Sequence, residues 1–71
     1  MNLSTASKGK YKVVRVIAGA WAKNRLSALG IIPNQTIEKV DEAHFQGPVL
    51  VKVFESTLTI GRALASRVII E

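Results

Sequence analysis

Lys10–Asn34 reads KYKVVRVIAGAWAKNRLSALGIIPN, and the fold turns on how this stretch is parsed. Lys10–Ala18 is rich in β-branched residues and partly alternating. Val14, Val16 and Ala18 fall on one side and Val13, Arg15 and Ile17 on the other, which predicts a strand with apolar contacts on both faces. Gly19 breaks it. Ala20–Leu29 is helical by composition, and Ala22, Leu26 and Leu29 recur at i, i+4 and i+7 as one apolar stripe. Gly30 supplies the left-handed residue that ends many helices, with Ile31 set to pack back on the last turn. Pro33-Asn34 then predicts a turn, because proline presets φ and asparagine tolerates the positive φ that follows.

Toward the C-terminus, Thr36–Val40, Val49–Phe54 and Thr57–Ile60 read as strands, the second after the Gly47-Pro48 breaker pair. Gly61–Ser66 reads as one helical or 3₁₀ turn, and Val68–Ile70 as a closing strand. Toward the N-terminus, residues 1–9 are small and polar and read as a lead-in. The order predicts a mainly β fold: a small closed or half-open barrel of about five strands with one short helix inserted after the first strand. Closure hides the strand edges. Leu26, Leu29, Val51, Leu58 and Val68 are the expected core. With 71 residues the expectation is a single domain, 1–71.

Chains this short often rely on disulfides or a structural metal. The absence of cysteine excludes disulfides and thiolate zinc sites, so the 48% hydrophobic content must build the core alone. Met1–Ser7 lacks the apolar stretch of a signal peptide, and the longest apolar run, Val13–Ala22, is interrupted by Arg15 and too short to span a bilayer. The expectation is a cytoplasmic protein without membrane insertion. The net charge is +5, and its layout is uneven: every acidic residue lies at or after Glu38, while Lys8, Lys10, Lys12, Arg15, Lys23 and Arg25 crowd the first third. Such a layout suits an anionic partner, whether nucleic acid, phospholipid or an acidic protein face, or simply a solvated basic face.

Catalytic readings fail on chemistry. Asp41-Glu42-Ala43-His44 spells a helicase signature, but no GxxxxGK[ST] phosphate loop accompanies it, so the chain is no ATPase or GTPase. Asp41, Glu42 and His44 are also metal-donor types. One histidine with loop carboxylates rarely closes a coordination shell, and the reading is a solvated loop with no metal and no cofactor. His44 is the one base available to activate a serine, and nothing builds a nucleophile elbow or an oxyanion hole. The chain is expected to act by binding, not as an enzyme.

Leu26–Pro33 (LSALGIIP), Ile37–Val40 (IEKV), Gly47–Val53 (GPVLVKV) and Leu58–Glu71 (LTIGRALASRVIIE) together resemble the ferrous iron transport protein A family over nearly the whole chain from about Gly9. Pro33-Asn34 stands where that family usually has Pro-Gly, and Ala6-Ser7 where a second leucine is common. The resemblance implies an SH3-like barrel with a helix after the first strand. It also implies a small cytosolic accessory of the membrane ferrous iron transporter, ferrous iron transport protein B, whose cytoplasmic part is a GTPase. Related SH3-like domains occur attached to metal-responsive transcriptional repressors, which supplies one alternative.

A nucleic-acid-binding barrel is the other alternative. A single Trp, a single Tyr and two Phe are few for a stacking platform, which disfavours it. Trp21 precedes the helical stripe by one position, so core packing is its expected role. If exposed, Trp21 and Arg25 have the residue types of a binding hot spot. Trp21, Lys23 and Arg25, with Ile32 and Pro33 just past the helix, are the candidate partner contacts. Self-association stays open.

Overall fold

The computed structural model describes residues 1–40 and 47–71. Strand β1 (Gly9–Val16) organises the fold because it serves two neighbours in turn. Its first half pairs antiparallel with β2 (Thr36–Lys39), from Gly9 opposite Lys39 to Lys12 opposite Thr36. Its second half pairs with β5 (Val68–Ile70), from Val13 opposite Ile70 to Val16 opposite Val68. At the handover Val13 and Arg15 face the consecutive residues Ile70 and Ile69, so Val14 is the extra residue of a bulge. The bulge resets the side-chain parity. Val13 and Val16 are both buried, while Val14 and Ile17 are exposed. The strand therefore has one apolar face, not the two that simple alternation suggests.

From β2 the chain runs as an antiparallel meander through β3 (Val49–Val53) and β4 (Ser56–Ile60). The sheet order is β4-β3-β2-β1-β5, bent at the β1 bulge into an SH3-like barrel. Between β1 and β2 lies helix α1 (Ala20–Ala28), and between β4 and β5 the single turn α2 (Arg62–Ala65). Element order and bounds follow the sequence reading to within two residues at each end. The Pro33-Asn34 turn forms as expected: Asn34 has φ of 74° and the Gln35 N–H donates to the Ile32 carbonyl at 3.1 Å. No helix among the described residues is long and apolar enough to cross a membrane.

The N-terminal segment departs from the expected lead-in. Leu3 and Ala6 are core residues, and Asn2 bridges to Ile69. The Leu3 N–H donates to Val68 and the Ile70 N–H donates to Met1, which covers the outer edge of β5. The segment is held by side chains from elsewhere. Lys39 follows Ile37 on the inward face of β2 and is only 1% exposed. Its Nζ donates to the carbonyls of Leu3 (2.9 Å), Ser4 (3.3 Å) and Ala6 (2.6 Å), acceptors that suit a buried ammonium. Arg62 adds Nη1 to the Ser4 carbonyl at 2.8 Å and Nε to the Gly47 carbonyl at 3.1 Å.

Of the five expected core residues, Leu26, Val51 and Val68 are fully buried and Leu58 is half-buried. Leu29 is the exception, at 41% exposure. The cause is the way α1 ends. The Gly30 N–H donates to Ser27 and the Ile31 N–H to Leu26, a Schellman pair in which Gly30 has φ of 93°. This reversal seats Ile31 beside Leu26 in the core and leaves Leu29, the C-cap residue, outside. Gly30 is also sterically required, since a Cβ there would lie 2.9 Å from Val53 Cγ1 and 3.2 Å from the Phe54 ring.

Candidate partner-docking site

Helix α1 begins after Gly19 with no side-chain cap and buries one side chain, Leu26. At 100° per residue, Trp21 lies about 140° round the helix from Leu26 and so points away from the barrel. It is 76% exposed, which corrects the expectation that it packs in the core. Trp21, Asn24, Arg25, Ala28 and Leu29 fall at i, i+3, i+4, i+7 and i+8, the spacing of one helix face. Together they line a shallow groove on the outer side of α1.

A second shallow groove runs between the helices, lined by Ala18, Gly19, Trp21, Ala22, Ala63, Leu64 and Arg67. Trp21 is the wall common to both. The Arg25 guanidinium carbon sits 5.8 Å from the indole centroid, at the outer reach of a cation–π contact. An exposed tryptophan with an arginine beside it matches the composition of binding hot spots.

The sequence-predicted contacts divide. Trp21 and Arg25 are brought together. Lys23 is exposed, but two positions from Trp21 places it about 200° round the helix, and it lines neither groove. Ile32 and Pro33 are exposed in the turn beyond the helix and also line neither groove. Leu29, Leu64 and Arg67 belong to the surface and escaped the sequence reading. Leu29 was assigned inward by periodicity, and α2 is too short for a period to show.

The basic residues of β1 do not form an unbroken track. Lys10 stands opposite Glu38, and Glu38 opposite Lys52, so charge alternates across three strands. These residues line a polar hollow with Gln35, Thr36, Glu55 and Phe54. Phe54 is 69% exposed and holds φ of 56° in the two-residue β3–β4 loop, where glycine or asparagine is usual. A single aromatic beside mixed charges is a poor match for single-stranded nucleic acid, which prefers a cationic groove with several stacking rings. Asp41, Glu42 and His44 lie outside the described residues. Among the described residues no cluster of three or more His, Asp or Glu could hold a metal ion.

Comparison with known proteins agrees with this architecture. The family model for the FeoA domain matches residues 1–71. A crystal structure of an iron uptake regulatory protein (FeoA) is 33% identical, with a TM-score of 0.90 over 100% of this chain and 95% of the other. FeoA of Stenotrophomonas maltophilia, solved with zinc and described as a prokaryotic SH3 domain protein, is 24% identical, with a TM-score of 0.84 over 100% of this chain and 89% of the other. The manganese regulator SloR contains the same fold at 18% identity and a TM-score of 0.85, with 100% of this chain matching 34% of that one. Comparison with curated protein sequences finds no match. The matched family model, end to end, and the one-third-identical FeoA structure share the barrel and inserted helix described above, and the chain belongs to the FeoA domain family, a family of ferrous iron transport.

Proposed function

We propose that this chain is a cytoplasmic, non-catalytic accessory of ferrous iron uptake. It docks through the outer face of α1 on the cytoplasmic GTPase part of the membrane ferrous iron transporter, ferrous iron transport protein B, and modulates its activity. Family membership supports the setting. The observation that carries the docking reading is Trp21: 76% exposed, with the Arg25 guanidinium carbon 5.8 Å from its ring centroid, and common to two largely apolar grooves. A ring of that area left in water contributes little to folding, but its burial against a partner is strongly favourable.

The test is co-purification of the full chain with the transporter's cytoplasmic part, comparing the parent with Trp21→Ala. Capture should fall by about tenfold or more, the usual scale for a hot-spot aromatic. Thermal stability should move by no more than about 0.5 kcal/mol, as for most surface changes. Undiminished capture by Trp21→Ala rejects this face as the contact.

A further inference from the structure

The charges around Trp21 define the chemistry of the surface that fits it. Apart from Asn24, both grooves are lined by small and apolar side chains and one cation each, Arg25 in one and Arg67 in the other. Among the described residues, no aspartate or glutamate lines either groove. None occurs in Met1–Ile37 or in Gly61–Ile70, the segments that supply both helices and the residues between them and β1. The two cations stand on anchored backbone. The Arg67 carbonyl accepts the Ile17 N–H at 2.8 Å, its N–H donates to Leu64 at 3.0 Å, and Arg25 lies against the indole.

An apolar ridge between two cations is complementary to apolar anchors flanked by carboxylates. The grooves lie against helices and offer no strand edge for β-pairing. A partner's backbone therefore gains little there, and side chains must carry the recognition, as when an amphipathic helix lies in a groove. We infer that the Trp21 ridge receives an acidic amphipathic helix of the partner, with its apolar side chains in the two grooves and its carboxylates against Arg25 and Arg67. This rests on the reading of α1 as the docking face, and not on which protein docks. A nucleic acid brings no aliphatic anchors to fill the grooves, and a bilayer surface cannot enter concavities on both sides of one ring.

Trp21 is the only tryptophan, so its emission reports the site directly. The probe is a synthetic helical peptide of about five turns. It carries leucines at i, i+3, i+4 and i+7 with flanking glutamates, and its control has lysine at each glutamate. The acidic peptide should shift the emission to the blue in a saturable way, and the lysine peptide should bind at least about tenfold more weakly. In the Arg25→Glu/Arg67→Glu double variant that order should reverse. Equal binding of the two peptides, or no saturable shift with the acidic one, overturns the inference. So does a larger shift with phosphatidylglycerol vesicles or with a single-stranded oligonucleotide, which would assign the face to a membrane or to nucleic acid. Transporter capture separates this inference from the docking reading. Capture lost in Trp21→Ala but kept in the double charge reversal rejects the acidic helix and leaves the docking face standing. Acidic-peptide binding without any transporter capture does the opposite.

Discussion

Within Met1–Ser7 the side chains of Leu3, Ser4 and Ala6 are withdrawn from water, whereas the nine residues of α1 withdraw only Leu26. The N-terminal segment has little apolar surface to bury, yet it is tied to the barrel along its length. Lys39 and Arg62 donate to its carbonyls, and β5 supplies main-chain bonds at Leu3 and Met1. Helix α1 has more apolar surface and a regular period, yet it is attached through one leucine and its C-terminal reversal. The difference shows that burial follows what the surroundings present. Polar donors inside the barrel draw a plain segment inward. The barrel offers the helix a seat for one side chain, and the remaining face stays in water.

The largest effect should come from the helix's one anchor. Leu26→Ala should cost about 4 kcal/mol, because a fully buried leucine leaves a cavity that the barrel wall closes only in part. Denaturant melts measure this, and a loss below about 1 kcal/mol would mean that α1 is not attached through Leu26. Lys39→Met tests the other region. It removes the donor facing three carbonyls, of which Ser4 keeps Arg62, and the loss at Leu3 and Ala6 should cost about 3 kcal/mol. Amide exchange should accelerate at Leu3 well beyond the global change. Uniform exchange would show that the segment does not depend on the lysine.

A smaller effect is expected at Gly30. Gly30→Ala combines a left-handed φ with contact on Val53 and Phe54, and should cost about 2 kcal/mol. Leu29→Ala should cost less than about 1 kcal/mol, since the residue is already largely in water. That last pair of leucines sharpens the comparison most. Leu26 and Leu29 are one side chain type, three positions apart on one helix, and equal losses at both would erase the distinction between its two faces.

Much of the fold was legible in Lys10–Asn34 and its continuation. The strand, the glycine-terminated helix and the Pro-Asn turn each rest on local backbone preference, and local preference is written in neighbouring residues. The site was legible in part. Trp21 and Arg25 share a face because they are four apart, which any helix enforces. Leu29 was misassigned because a period identifies a face only up to where the helix stops packing, and the Schellman reversal gave its core position to Ile31. Arg67 was missed because it comes to line one groove with Trp21 only when the chain around α2 folds back near α1.

The sequence by itself determined the order of elements, the cysteine-free apolar core, the helix stop at Gly30 and the acid-free first half of the chain. These depend on interactions within a few residues or on composition. Tertiary structure alone decided that Val14 is a bulge residue, that Lys39 points into the barrel to hold Leu3–Ala6, and that Trp21 stands between two grooves. Each of these depends on which distant groups are brought within contact distance. A strand's parity changes when its partner strand changes, a lysine is stable inside only where carbonyls converge on it, and a helix face is outer only relative to the surface beneath it.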